Sequence, residues 1–228
     1  FALNQGANVL FTYLGEREKE ALEKLVEGFP DVKLYPCDVT SDEDVDRLFM
    51  QVSECGVLHG LVHAIAHAKP EDLQNSYVNT TREGFLHAMN ISAYSFVAVA
   101  RKAKELMTQG GSILTLSYYG ADKVMPGYNV MGVAKAALEA SVRYLAHDLG
   151  MCNIRVNAIS AGPVKTMSAM GIQGFGGILT AVREKAPLKR NVSLEELGAG
   201  AGFLLSDLSA GMTGQVVFID SGYSIMGL

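Results

Sequence analysis

The sequence predicts an α/β protein with a doubly wound parallel sheet of the Rossmann type. Short apolar runs alternate along the chain with longer amphipathic segments, and the short runs are apolar on both faces. Strands of that kind lie inside a parallel sheet that helices cover on both sides, and repeated strand and helix units imply right-handed crossovers. The predicted strands are residues 7–13, 33–39, 60–66, 111–118, 154–162 and 215–222.

Helical patterns fill most of the intervals between these strands. Residues 16–29 carry acidic and basic side chains four positions apart, which stabilises a helix. Residues 41–54 open on Ser41, a residue type that caps helix N-termini. Further helices are predicted over residues 85–107, 126–149 and 195–207.

The length of 228 residues and a hydrophobic content of 49% suit one dinucleotide-binding and catalytic domain over residues 1–228. The opening FALNQGANVLFTY is typical of the last turn of a helix that leads into a strand. We therefore expect the sequence to lack the first βα unit of a dinucleotide fold, including its Gly-rich phosphate turn.

Composition excludes several classes of function. Nineteen basic against twenty-four acidic residues, with no basic cluster, argue against a nucleic-acid or membrane surface as the main partner. Three cysteines at unrelated spacings and no secretory leader predict reduced, buried thiols and a cytoplasmic protein. The histidines show no metal-ligand spacing, so we predict no metal.

Small and polar residues lie at the carboxyl ends of four of the predicted strands, at positions 38–39, 64–68, 117–118 and 162–163. In a doubly wound sheet, ligands bind beyond the carboxyl ends of the strands. Taken alone, a turn Asp or Gly among these positions is better explained as an ordinary strand terminus. Their shared placement at one edge indicates a ligand site.

Tyr128 and Lys135 stand seven residues apart in the segment GYNVMGVAKAALEA. In a helix, this spacing puts both on nearly the same face, with Cα atoms roughly 10 Å apart along the axis. One interpretation is a partly buried aromatic ring beside an exposed lysine. In the other, Lys135 binds the hydroxyls of a nicotinamide ribose, and its charge lowers the pKa of Tyr128, so that the phenol acts on a carbonyl oxygen.

Several motifs resemble the short-chain dehydrogenase/reductase superfamily and, within it, the bacterial NADH-dependent enoyl-acyl-carrier-protein reductases. They are SYYGADKVMPGYNVMGVAKAALEASVRYLAHDLG, NIRVNAISAGPVKT, PCDVT, TREGF, NISAYS and LLSDLSAGMTGQVVFIDSGYSIM, which together extend over essentially the whole chain. Ketoacyl-reducing and alcohol-oxidising members carry tyrosine four residues before the lysine, where this chain has Met131. In the enoyl reductases the tyrosine stands seven before it, as Tyr128 does here.

The resemblance implies a role for individual residues. The catalytic residues would be Tyr118, Tyr128 and Lys135. The cofactor-binding residues would be Leu14, Asp38, Val39, Ile65, Lys135, Val164, Lys165, Thr166, Met167 and Ser168. The substrate-binding residues would be Ala68, Tyr118, Tyr128, Ile172 and Phe175, with a lid over about residues 167–185.

The cofactor is predicted to be NADH rather than NADPH. An NADP site needs a cation near the ribose phosphate, commonly just after the second strand of the full fold, and here Leu14 and Gly15 follow Tyr13. Arg17 is the nearest cation in the sequence. His67 departs from the aromatic or apolar residue that the family resemblance leads us to expect at its position.

The resemblance also implies partners. The substrate would arrive on acyl carrier protein, an acidic partner that Lys165, Lys185 and Lys189 could receive. A homotetramer is implied, with helices 85–107 and 126–149 as shared faces.

The predicted function is reduction of the trans-2 double bond of enoyl-acyl-carrier-protein by hydride transfer from NADH, the last step of the fatty-acid elongation cycle. One alternative is a 3-ketoacyl or alcohol oxidoreductase of the same superfamily, which would use Ser117 with Tyr128. A second alternative is a non-catalytic nucleotide-sensing protein.

Overall fold

All six predicted strands are present in the structure, a computed structural model that describes residues 1–166 and 175–227. All six are shorter than their apolar runs. The strands are β1 (Leu10–Tyr13), β2 (Lys33–Pro36), β3 (Gly60–His63), β4 (Gly111–Ser117), β5 (Ile154–Ala161) and β6 (Val216–Ile219).

Every strand pair is parallel, which confirms the doubly wound class. β1 pairs with β2, and the other strands form a second set in the order β3-β4-β5-β6. The pairing of Ser117 with Ser160 brings the carboxyl ends of β4 and β5 to the same edge. Leu10, Tyr35 and Val39 pack on the core cluster that also contains residues of β4 and β5, so both strand sets share one core.

The helices cover both faces of the larger set. Those described are α1 (Glu16–Leu25), α2 (Asp42–Ser53), α3 (Pro70–Gln74), α4 (Arg82–Met89), α5 (Ser95–Leu106), α6 (Asn129–Gly150), α7 (Phe175–Lys185) and α8 (Leu194–Leu205). On one face, side chains of α5 and α6 pack with Ile113 and Val156. On the other face, Leu204 of α8 packs with Leu114 and Ile159.

Helix boundaries agree with the sequence where a side chain sets them. Ser41 accepts a hydrogen bond from the Asp44 backbone N–H, so the predicted cap is confirmed. The single helix predicted over residues 85–107 is wrong, because a π-helical turn, Asn90–Tyr94, separates α4 from α5. The predicted start at residue 126 is also wrong, since α6 begins at Asn129.

Two cysteine predictions are wrong. All three thiols are free, but only Cys37 is buried, while Cys55 and Cys152 are exposed. Spacing gave no information on exposure, which depends on the turns that follow α2 and α6. Within the described residues, none of the helices is both long and apolar enough to cross a membrane.

His63, the last residue of β3, is a histidine buried in the core. Its side chain is 2% exposed, with Nδ1 3.1 Å from Thr115 Oγ1 and Nε2 2.8 Å from Ser95 Oγ. Burial, together with the nearby Lys135 charge, lowers the pKa of His63 to about 3. The folded chain therefore holds a neutral imidazole.

The buried imidazole predicts a fold that weakens in mild acid. Below the unfolded pKa near 6.5, the unfolded chain gains a proton that folded His63 does not take up until about pH 3. From pH 7 to pH 5 this group should lower the free energy of unfolding by about 2 kcal/mol. Urea unfolding at both pH values measures it. His63→Gln should remove this part of the pH dependence, whereas His147→Gln at an exposed site should keep it.

Close packing joins the first turns of α6 to the 3-10 turn Tyr119–Ala121. A methyl group built on Gly132 would lie 2.7 Å from the carbonyl oxygen of Gly120, closer than side-chain carbons approach. A methyl group on Gly150, at the far end of the same helix, would meet no atom of the described residues within 4 Å. Steric contact therefore requires glycine at position 132 but leaves room for a side chain at position 150.

Gly132→Ala and Gly150→Ala make a matched pair in one helix. Both substitutions gain helix propensity worth about 1 kcal/mol. Only the first forces a backbone shift, which costs about 1–3 kcal/mol through overpacking. Chemical denaturation should find Gly132→Ala less stable than Gly150→Ala. Equal stabilities would show that Gly120 and Gly132 are not in close contact.

Candidate active site

Lys135 lies in the second turn of α6, and its side chain is buried. It is 6% exposed, and its Nζ donates a hydrogen bond of 2.6 Å to the carbonyl oxygen of Leu116 on β4. Burial lowers the pKa of this ammonium to about 8, while the charge of Glu139 opposes the shift. Of the two interpretations of this lysine, the exposed one is wrong. An ammonium donates up to three hydrogen bonds, so the contact with Leu116 leaves capacity for a ligand.

Glu139, one turn beyond Lys135 on α6, is a member of the site that sequence analysis missed. Ser117 Oγ donates a hydrogen bond of 2.5 Å to its carboxylate. The carboxyl group is half-buried, and burial raises its pKa. The i,i+4 spacing places Glu139 next to Lys135 on the helix surface. Only the structure shows that Ser117, at the end of β4, bonds to the Glu139 carboxylate.

Tyr118 and Tyr128 come together as an aromatic pair. Tyr118 directly follows β4 and Tyr128 directly precedes α6, and their ring centroids are 4.9 Å apart with an interplanar angle of 70°. This edge-to-face geometry is favourable for aromatic rings. The turn between the two residues brings both phenols to the carboxyl end of the sheet.

The predicted effect of Lys135 on Tyr128 is wrong in the free chain. Burial raises the pKa of Tyr128, and the neighbouring Tyr118 adds to the rise. Burial also raises the pKa of Tyr118 to about 12. The spacing treated residues 128–135 as one helix, but Asn129 has φ +42°, so the backbone turns between Tyr128 and the regular part of α6.

Ala68 and Tyr128 belong to one apolar group, as the substrate role predicted for both would require. Ala68 belongs to a buried cluster with Val130, Met131 and Ala134, and Tyr128 packs against that cluster. The cluster forms a small apolar wall next to the phenol. Met131, which occupies the tyrosine position of the ketoacyl-reducing relatives, is buried in this wall.

Ile65 and His67 occupy the same connection after β3. Ile65 is half-buried. His67 is exposed, with its Nδ1 2.8 Å from Nε2 of His87. Burial lowers the pKa of His67, and the facing His87 lowers it further. The histidine therefore pairs with a second imidazole on α4.

The remaining cofactor positions lie after β1, β2 and β5. Asp38 Oδ1 accepts hydrogen bonds from the backbone N–H and the hydroxyl of Thr40, which fixes the carboxylate at the end of β2. Val39 packs on the core, and Leu14 is 68% exposed after β1. Val164 is half-buried after β5, and Lys165 and Thr166 are exposed. Met167, Ser168 and Ile172 lie outside the described residues, and Phe175 begins α7.

The donor set at this edge fits a dinucleotide that lacks a ribose phosphate. Asp38 supplies a fixed carboxylate that can accept from an amine, and Lys135 supplies a buried ammonium with capacity to donate to hydroxyls. Leu14 supplies no charge after β1. The residues present therefore suit NADH.

Comparison with known proteins agrees with this arrangement. The profile of the family described as Enoyl-(Acyl carrier protein) reductase matches residues 2–224. The chain is 53% identical to the enoyl-[acyl-carrier-protein] reductase [NADH] FabI of Bacillus cereus, over 98% of this chain and 89% of the relative. It is 52% identical to the corresponding [NADPH] enzyme of Staphylococcus aureus (strain MRSA252), over 96% and 86%.

A solved structure matches equally well. The crystal structure of the Bacillus cereus enoyl-acyl carrier protein reductase with NADP+ and indole naphthyridinone superimposes with a TM-score of 0.96 at 52% identity, covering 99% of this chain and 89% of that one. Since sequence and fold both match over almost the full length, the chain belongs to the enoyl-(acyl carrier protein) reductase family.

Proposed function

We propose that this chain reduces the trans-2 double bond of an enoyl group carried on acyl carrier protein, with NADH as the reductant, in the last step of the fatty-acid elongation cycle. Family membership supports the reaction class. The observation that carries the proposal is the pairing of the Tyr118 and Tyr128 rings just after β4, with the buried Lys135 bonded to Leu116 O on the same strand.

NADH, when bound, supplies the hydride that adds to C3 of the enoyl thioester. Negative charge then develops on the thioester oxygen, and the Tyr128 hydroxyl donates a hydrogen bond to it. The raised pKa of Tyr128 suits this role, because the phenol stays protonated and remains a donor throughout. A proton from solvent adds at C2 and completes the saturated acyl thioester.

Lys135 binds and orients the ribose of the cofactor. Its anchor on Leu116 O fixes the ammonium at the end of β4, and its remaining protons donate to the ribose hydroxyls. The other cofactor contacts we propose are Leu14, Asp38, Val39, Ile65, Val164, Lys165, Thr166, Met167 and Ser168.

The acyl chain lies along the apolar wall that contains Ala68, beneath a lid formed by residues 167–185. The helix α7 within that range carries apolar residues and two glycines, which suit a cover over an acyl chain. Ile172 and Phe175 are the proposed lid contacts. Exposed Lys165, Lys185 and Lys189 offer positive charge near the lid to an acidic carrier.

The chain as a whole acts as one domain in a cytoplasmic homotetramer. Family membership supports an enoyl group carried on acyl carrier protein as the substrate. The exposed apolar side chains Leu86 and Tyr94, on α4 and the π-helical turn, support a further subunit against that face.

The contacts of Ser117 disfavour the ketone or alcohol oxidoreductase. That alternative needs the Ser117 hydroxyl beside Tyr128, whereas Ser117 donates to Glu139. Met131 leaves no hydroxyl four residues before Lys135. A nucleotide sensor without turnover would not need Tyr118 and Tyr128 to be paired and held protonated at the carboxyl end of the sheet.

Replacing Tyr128 with phenylalanine tests the reaction directly. With NADH and crotonyl thioester, the intact chain should oxidise NADH, and Tyr128→Phe should lower kcat by about 100- to 1000-fold, as loss of an oxyanion donor does. Affinity for NADH should remain. The absorbance of the reduced nicotinamide follows both.

Tyr144→Phe is the matched control, because Tyr144 is exposed on α6, the helix that follows Tyr128. It should keep the activity of the parent. Full activity of Tyr128→Phe would remove the phenol from the reaction, and turnover of a 3-ketoacyl thioester in place of the enoyl substrate would favour the alternative oxidoreductase.

Binding of NADH should weaken as the pH rises through about 8, because the Lys135 ammonium loses its proton there. Glu139 raises the pKa of Lys135, so Glu139→Gln should move the midpoint of this loss to lower pH. Fluorescence titrations with NADH between pH 6.5 and 9.5 would measure both. Lys135→Met should bind weakly at every pH, and an affinity of the parent that stays constant across the range would contradict the role of the ammonium.

A further inference from the structure

Asn129, the residue between Tyr128 and the regular part of α6, has an unusual backbone conformation. Its φ is +42°, in the left-handed region that side chains other than asparagine, aspartate and glycine rarely adopt. This turn sets the direction in which the chain passes from Tyr128 into the helix. The backbone conformation of residue 129 therefore helps to set the position of the Tyr128 phenol.

The side chain of Asn129 holds this turn in place. Its Nδ2 donates hydrogen bonds to the carbonyl oxygens of Leu73, at 2.8 Å, and Asn75, at 2.7 Å. One amide group has two protons, so both are used. The last carbonyls of a helix have no partner within it, and Asn129 supplies one to the end of α3.

These two bonds join the two sides of the substrate site. α3 belongs to the connection after β3 that also contains Ala68. Leu73 and Tyr128 both pack on the cluster that contains Ala68. Asn129 thus ties the apolar wall to the residue that follows the phenol.

The Tyr128 ring is confined on its other sides. It meets the ring of Tyr118 edge to face, and a methyl group on Gly120 would overlap it. The Tyr128 N–H donates to Met125 O at 3.0 Å, and its carbonyl accepts from the Met131 N–H at 3.0 Å. A change of the backbone at residue 129 would alter how Tyr128 enters α6 and would move its hydroxyl relative to Ala68.

We propose that Asn129 is a positioning residue: its amide clamps the end of α3 to the start of α6 and so fixes the Tyr128 hydroxyl against the substrate wall. Its kinetic effect rests on the proposed function of Tyr128. The clamp itself is a structural property that can be measured without turnover.

Asn129→Gly tests the clamp, because glycine accepts the left-handed conformation and removes only the amide. We expect kcat to fall about 10- to 100-fold, as a displacement of about 1 Å in a reacting group does, with KM for NADH changed less than about threefold. Asn129→Asp, of nearly the same shape, should show the same loss, because its carboxylate faces two carbonyl oxygens without a proton to donate.

Asn153→Gly is the matched control. Asn153 is also an asparagine with positive φ, at +56°, but it lies in the turn before β5. It should keep kcat within about twofold of the parent, because residue 153 lies away from Tyr128 in sequence and in the fold. If destabilisation alone lowered the rate of Asn129→Gly, Asn153→Gly would lose rate as well. Asn129→Gly with the kcat of the parent would overturn the kinetic part of the proposal.

NMR of protein labelled with 13C at the tyrosine Cζ separates the clamp from the proposed reaction. The Tyr128 signal, assigned by its loss in Tyr128→Phe, should move in Asn129→Gly and stay in place in Asn153→Gly. A signal unmoved in Asn129→Gly would overturn the clamp, whatever the activity. If Tyr128→Phe retained full activity while this signal moved, the clamp would stand and the proposed function would fail.

Discussion

The site depends on one buried charge. Within the described part of the chain, the Lys135 ammonium donates one hydrogen bond, to the carbonyl oxygen of Leu116 on the central strand β4. Burying an ammonium is unfavourable unless acceptors take its hydrogen bonds and a negative charge lies nearby. Here Glu139 on the same helix supplies the negative charge. Because Ser117 in turn bonds Glu139, the end of β4 and the second and third turns of α6 are fixed to each other. A ribose hydroxyl that accepts from Lys135 would use a further proton of the buried ammonium.

The two tyrosines extend this frame to the proposed substrate site. Tyr118 continues β4 beyond Ser117, and Tyr128 enters α6 ahead of Lys135, so both phenols take their positions from the same strand and helix. Burial holds both in the protonated form. The proposed reaction therefore uses donation of a hydrogen bond to a developing oxyanion, which needs no ionised phenol in the free chain.

Much of the fold could be predicted from the sequence, because apolar runs and caps are local properties. The six strands and the Ser41 cap follow from residues a few positions apart. What sequence could not supply were contacts between distant segments and local departures from regular structure. The π-helical turn at residues 90–94 and the positive φ of Asn129 break patterns that read as continuous helix. The bond from Ser117 to Glu139 joins residues on different elements, and the degree of burial that raises the Tyr128 pKa depends on the whole packed edge.

A crystal structure of the chain with NADH would test the role of Lys135 most directly. We expect Nζ to keep its bond to Leu116 O and to donate to a ribose hydroxyl at about 3 Å, with the Tyr128 hydroxyl facing the nicotinamide ring. A bound dinucleotide whose ribose lies beyond hydrogen-bonding distance of Nζ, with Lys135 still bonded to Leu116 alone, would contradict it.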